Sequence, residues 1–164
     1  MEISNFREMY LAEVQELVSM EQQVAELLAR TAEVTAHADL RKILLHHMHE
    51  SEVQKQRLAA ILEKHGADPH AHTDQAMQAL VAETGKMLQI LKGGEVTDAG
   101  LIASVQKLAH YQVAAYGTAS ALAGQQGLRA DQLALHECLE EEKAADLQLS
   151  ELAKRDINGR AQAA

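Results

Sequence analysis

Aromatic residues are scarce in this sequence, and their scarcity limits the fold classes that it can adopt. The 164 residues include one phenylalanine, three tyrosines and no tryptophan, whereas alanine occurs 29 times. Aromatic and β-branched residues favour β-strands, and alanine has the highest helix propensity of the common amino acids. The composition therefore predicts an all-α protein and excludes a β-sandwich or a β-barrel.

Cysteine and positive charge are scarce as well. Cys138 is the only cysteine, which excludes a disulfide scaffold and is typical of a protein in the reducing cytoplasm. The 24 acidic residues outnumber the 15 basic ones, and the net charge of −9 argues against nucleic-acid binding. No segment reaches the roughly 18 apolar residues of a membrane span, and the first residues do not resemble a signal peptide. We therefore expect a cytoplasmic protein with no membrane and no nucleic-acid partner.

Helix-breaking residues are few, so the predicted helices are long. Pro69 is the only proline, and the glycines cluster at a small number of breaks. The breaks predict helices over residues of about 4–34, 40–65, 73–93, 97–123 and 131–157. We expect Thr97 and Asp98 to cap the fourth of these helices, and the alanine-rich residues 158–164 to fray.

The lengths of the connections distinguish between bundle topologies. Short turns join the first two helices and the last two, so each pair is predicted to form an antiparallel hairpin. Residues 66–96 form a long connection that carries the shorter helix. A short, a long and a short connection in this order are typical of a ferritin-like four-helix bundle with one crossover. We therefore predict that residues 1–164 form a single ferritin-like domain.

Four polar residues interrupt the apolar stripes of the four long helices. Glu21 and Glu50 lie equally far in sequence from the first turn, and Gln112 and Glu142 lie equally far from the second. At about 1.5 Å per residue, all four are expected about 22 Å from their turn, at the middle of the bundle. The alternative is that each glutamate lies at the edge of its stripe and is solvated.

Three carboxylates in one buried layer would need a compensating group. Burial of an ionised carboxylate without a partner costs several kcal/mol, so the layer would require a cation, protonation or water. Hard divalent metal ions take oxygen ligands of this kind. The pattern therefore predicts a metal site built on Glu21, Glu50 and Glu142, with protonation as the alternative.

Several sequence motifs resemble those of the YciE/YciF family of bacterial ferritin-like proteins, over nearly the whole chain. The similarity rests on residues 20–23 (Met-Glu-Gln-Gln), 47–51 (His-Met-His-Glu-Ser), 110–118 (His-Tyr-Gln-Val-Ala-Ala-Tyr-Gly-Thr) and 141–146 (Glu-Glu-Lys-Ala-Ala-Asp). The third motif is the most specific of these.

The resemblance implies a ferritin-like bundle, usually dimeric, with a dinuclear carboxylate centre for iron or manganese. Glu21, Glu50 and Glu142 correspond to ligands, but Ala109 and Gln112 stand where the family has two further glutamates. Gln112 could offer only a neutral amide oxygen. The resemblance thus implies a stress-related protein with a degenerate centre that holds at most a partial metal site, and favours a protein that is not an enzyme. The alternative is a functional di-metal protein with redox or metal-handling activity.

We predict mainly supporting or structural roles for the histidines and for the remaining reactive residues. We expect His47 and His110 to donate hydrogen bonds to nearby carboxylates and so to support the metal ligands. His70 and His72 lie in the crossover and are interpreted mainly as exposed loop residues, with weak metal binding as the alternative. Tyr111 and Tyr116 are predicted to pack in the core, and Cys138 to be a buried and unreactive thiol.

The shorter helix carries more apolar residues than a lone crossover helix needs. They are Met77, Leu80, Val81, Met87, Leu88, Ile90 and Leu91. Burial against a second subunit would explain this surplus and agrees with the homodimer that the resemblance implies. Packing against the chain's own bundle would explain it equally well.

Overall fold

The computed structural model describes residues 3–164, which form helices and connecting turns and contain no strand. The helices are α1 (Phe6–Val34), α2 (Ala38–Lys64), α3 (Gln75–Ile90), α4 (Gly94–Gln125), α5 (Arg129–Leu152) and α6 (Asn158–Ala163), with a π-helical segment at Ala153–Ile157. Within this described range, no helix combines the length and the apolar character that a membrane span requires.

Two antiparallel hairpins form the bundle. The first consists of α1 and α2 and the second of α4 and α5, and the crossover with α3 joins them. The apolar stripes of the four long helices meet in one core, which includes Leu28, Leu44, Leu58, Leu108 and Leu149. The predicted all-α, ferritin-like bundle with one long crossover is confirmed.

The start of α4 differs from the prediction. The helix begins at Gly94, three residues before Thr97, and follows Gly93, whose φ of 91° is accessible to glycine. Asp98 therefore lies within α4 and does not cap it. Its buried carboxylate instead accepts hydrogen bonds from the backbone N–H groups of Ala36 and His37, at 3.1 and 2.9 Å. Asp98 thus fastens the turn between α1 and α2 to the second hairpin.

We expect Asp98→Ala to lower the free energy of unfolding by about 1–3 kcal/mol, because it leaves two backbone donors of this turn without their acceptor. The matched control is Thr97→Ala, the neighbouring residue that the sequence also predicted as a cap, with an expected change below about 0.5 kcal/mol. Urea unfolding of the three proteins measures both values. Equal losses in the two variants would contradict the role assigned to Asp98.

The C-terminal residues are helical where the sequence predicted a frayed end. The π-helical segment places Ile157 in the core, with 1% of its surface exposed, and α6 continues to Ala163. Asp156 accepts a hydrogen bond from His37 Nε2 at 2.9 Å and another from Arg160 Nε at 2.6 Å. These anchors lie at Asp156 and Ile157, before the predicted tail, so the fraying of residues 158–164 stays a prediction.

Most of the apolar surface of α3 packs against the chain's own bundle. Met77 is fully buried, and Leu80, Val81 and Leu88 are partly buried against the core, whereas Ile90 is 61% exposed. The helix is also held at its start by Tyr111, whose hydroxyl donates to the capping residue Asp74 at 2.9 Å. Intramolecular packing therefore accounts for most of the surplus, and the homodimer stays a prediction.

Candidate metal centre

Four of the predicted site residues meet in the interior, one from each long helix. Glu21 comes from α1, His47 from α2, Gln112 from α4 and Glu142 from α5. Each side chain is almost completely shielded from solvent, with exposed fractions of 0 or 1%. The apolar stripes of the four helices carry these polar groups inward because they occupy the positions that face the bundle axis.

Glu21 has three hydrogen bonds from α4. The Gln112 amide nitrogen lies 3.1 Å from both carboxylate oxygens of Glu21, and the Tyr116 hydroxyl donates to Oε1 at 2.8 Å. The two donors are four residues apart, so they lie on the same face of α4. Gln112 and Tyr116 thus supply the hydrogen bonds that the Glu21 carboxylate accepts from α4.

Glu142 is paired with His47 from α2. His47 Nε2 lies 2.9 Å from Glu142 Oε2, in an ion pair that excludes solvent almost completely. Glu142 Oε1 and His47 Nδ1 are buried and have no hydrogen-bond partner in the structure. The pair therefore carries two polar atoms that are open to another ligand.

Burial changes the protonation of this centre. Desolvation, with a further contribution from Glu142, raises the pKa of Glu21 to about 8. Burial is the largest single effect and lowers the pKa of His47, but the attraction and the hydrogen bond of Glu142, together with Glu21 and Glu50, outweigh it and the net shift is upward. At neutral pH the centre therefore favours a protonated Glu21 beside the Glu142–His47 pair. The buried Ser51 hydroxyl lies near Glu21 and can accept a hydrogen bond from the protonated carboxyl group.

The structure places Glu50 and His110 away from this buried group. The Glu50 side chain is 24% exposed, at the rim of the centre, and pairs with His46 at 3.3 Å. His110 is 69% exposed and contacts Asp146 at 3.1 Å. Because His110 precedes Gln112 by two residues, its side chain points about 200° away around the helix. His110 therefore does not reach the carboxylates that it was predicted to support.

Sequence reasoning missed three polar residues around the centre. Tyr116 was predicted only to pack, yet its hydroxyl bonds to Glu21, and Ser51 received no role. Gln54 is fully buried and donates to Glu141 Oε2 at 2.9 Å. The available signal was spacing: Tyr116 follows Gln112 by four residues, and Ser51 and Gln54 follow His47 by four and seven.

The donor set does not fit a dinuclear metal centre. Such a centre uses about four carboxylates and here has two that are fully buried, with Glu50 at the rim. Gln112 presents its amide nitrogen, a donor, to Glu21, and its buried amide oxygen, which has no hydrogen-bond partner, could supply only a neutral ligand. In the described part of the chain, no three His, Cys, Asp or Glu side chains are arranged to hold one ion. The geometry favours a proton and hydrogen bonds as the groups that compensate Glu21.

The other candidate residues lie apart from the centre. His70 is exposed, and His72 lies 3.9 Å from Glu16. Cys138 is 1% exposed, and burial raises the pKa of its thiol to about 12, so the thiolate is strongly disfavoured. The prediction of an unreactive buried thiol agrees with this environment.

The fold and its centre together define a ferritin-like helical bundle with a buried carboxylate core. The model of the family described as "Domain of unknown function (DUF892)" matches residues 5–162, and the chain belongs to this family. Protein YciF of Escherichia coli strain K12 is 32% identical to it over 163 residues, which cover 99% of this chain and 98% of YciF. The predicted resemblance to the YciE/YciF family is thereby confirmed.

Solved structures give the same result for the fold. The crystal structure of the Escherichia coli stress protein YciF matches with a TM-score of 0.90 and 32% identity, covering 95% of this chain and 99% of YciF. The structure of YcfI from Rhodopseudomonas palustris matches with a TM-score of 0.87 and 29% identity, covering 91% of this chain and 95% of YcfI. Both similarities span nearly the whole bundle.

Proposed function

We propose that this chain is a stress-related cytoplasmic protein whose mid-bundle centre binds at most one metal ion and performs no two-metal redox chemistry. The observation that carries the proposal is the position of Gln112 Nε2, 3.1 Å from each oxygen of Glu21. A cation bound by both oxygens would lie between them on the same side. The amide of Gln112 therefore occupies the place of an ion and supplies a neutral donor instead.

Charge balance supports the same conclusion. Two divalent ions bring four positive charges, whereas Glu21, Glu142 and the rim residue Glu50 carry at most three negative ones. Burial favours the neutral form of Glu21, and His47 already compensates Glu142. A second ion would have to displace His47 and the proton of Glu21, and each displacement costs free energy. The stress-related role follows the similarity to YciF, which is described as a stress protein.

The alternative is a functional di-metal protein that binds iron or manganese. Glu142 Oε1 and His47 Nδ1 are buried without partners, and Glu50 lies at the adjacent rim. Rotation of Glu50 inward would add a third carboxylate to this side of the centre. In either case we propose a homodimer, as the family resemblance implies, with an interaction role if the centre is silent.

The metal content of protein purified without a tag distinguishes these functions. We expect at most one equivalent of iron or manganese in the wild type, and more in Gln112→Glu, because that variant replaces a donor by a fourth carboxylate. The control is Gln125→Glu, the same change at an exposed position at the end of α4. Two equivalents in the wild type, lost in Glu50→Ala, would overturn the proposal and establish the di-metal alternative.

A further inference from the structure

A groove separate from the mid-bundle centre lies between the first hairpin and the crossover. Its cavity volume is about 650 Å³, and its walls come from α1, α2, residues 69–73 and the first part of α3. Sites for small molecules typically enclose about 300–1,000 Å³ and combine an apolar surface with a few polar groups. Val18, Ala59 and Pro69 supply the apolar part of this groove.

The charge of the groove differs from that of the rest of the molecule. Among the described residues that line it, Lys55 carries a positive charge, His70 and His72 can donate hydrogen bonds, and none is acidic. This is unusual in a chain with 24 acidic residues and a net charge of −9. Glu16 and Glu26 lie outside the lining and are engaged, Glu16 near His72 at 3.9 Å and Glu26 as an acceptor for Gln22.

The only cationic side chain among the described residues that line the groove is Lys55. Lys55 Nζ donates to Gln22 Oε1, which bridges α2 and α1. Gln22 is neutral, and its amide nitrogen donates to Glu26, so Lys55 has no direct ion pair in this contact. His70 and His72 face the same cavity from the crossover loop. The groove thus combines one lysine, His70, and a His72 whose Nδ1 is paired with Glu16, around the apolar residues.

We propose that this groove binds a small organic anion with an apolar body, the anionic group contacting Lys55 and the body lying on Val18, Ala59 and Pro69. His70 and His72, which line the same groove, donate hydrogen bonds to the anionic group. This site uses none of the residues of the mid-bundle centre, so the proposal does not depend on the metal content of that centre.

Fluorescence titration of the full chain with 1-anilinonaphthalene-8-sulfonate tests the proposal. We expect saturable binding of about one equivalent per chain. Lys55→Met, which keeps the apolar stem and removes the charge, should weaken binding about five- to tenfold. Ala59→Phe, which fills the floor of the groove, should abolish saturable binding. Lys86→Met is the control, since Lys86 is exposed on α3 and pairs with Glu83, and it should leave binding unchanged.

Two further measurements keep the result interpretable. Thermal unfolding of each variant shows whether the fold is retained, and a titration with the uncharged N-phenyl-1-naphthylamine separates the contribution of the anionic group. Two results support the anion site: the wild type binds the uncharged compound more weakly, and Lys55→Met binds both compounds with equal affinity. Non-saturable binding, or binding that neither Lys55→Met nor Ala59→Phe reduces, would overturn the proposal.

Discussion

Replacement of His47 by leucine should lower the free energy of unfolding by about 3–5 kcal/mol at pH 7. The change keeps a side chain of similar size but removes the partner of Glu142, whose carboxylate is fully buried. Glu142 must then either remain as an unpaired charge in the core or take up a proton, and both cost free energy. Urea unfolding followed by circular dichroism measures the loss.

Two further variants isolate the ion pair as the cause. His110→Leu removes a histidine from an exposed pair with Asp146, and we expect a loss below about 1 kcal/mol because water screens that pair. The double variant His47→Leu/Glu142→Leu removes both members of the buried pair, and it should recover most of the stability that His47→Leu loses. Equal losses in His47→Leu and His110→Leu would contradict the assignment.

The second large effect is a pH dependence that Glu21 imposes on stability. The pKa of Glu21 is about 8 in the folded chain against 4.5 for an unperturbed glutamate, so between these values the folded state holds one proton that the unfolded state has released. The contribution of Glu21 to stability is therefore fully present at low pH and is lost as the pH rises between these two values, by up to about 1.4 kcal/mol per pH unit. The fall ends above pH 8, where Glu21 is ionised in both states.

Glu21→Gln removes this ionisable group and preserves the size of the side chain. We expect its stability to depend less steeply on pH between 5 and 8, and to exceed that of the wild type by a few kcal/mol at pH 9. His47, Glu50 and Glu16 are retained, and their raised pKa values contribute to any slope that remains. Glu140→Gln is the control, because Glu140 is exposed and its pKa is lowered. Parallel pH profiles for the wild type and Glu21→Gln would contradict the raised pKa of Glu21.

Much of the fold could be predicted because the helical signals are local. Helix propensity, the rarity of breakers and the lengths of the connections depend on neighbouring residues, and they predicted four long helices, a crossover helix and their pairing. The errors occurred at residues whose roles depend on distant partners. Asp98 has the sequence character of a cap but bonds to the turn before α2, and Asp156 holds the C-terminal segment against His37.

The candidate site was predictable only in part, for the same reason. Helical periodicity and equal distance from the turns selected Glu21, Gln112 and Glu142, and the structure brings them to the interior. The same reasoning placed Glu50 with them, yet its side chain turns toward His46 at the rim. Two neighbouring positions on a helix can place a carboxylate either in the core or in solvent. The sequence pattern does not distinguish between these two positions.

The sequence by itself determined that this protein is an acidic, all-α bundle with one crossover, since composition and periodicity specify helices and their buried faces. Only the tertiary structure decided how the buried polar groups are satisfied: Gln112 and Tyr116 donate to Glu21, and His47 pairs with Glu142. The physical reason is that hydrogen bonds and ion pairs depend on separations of about 3 Å between side chains of different helices. The side-chain rotamers and the packing of the helices set those separations, and the spacing of residues along the chain determines neither of them.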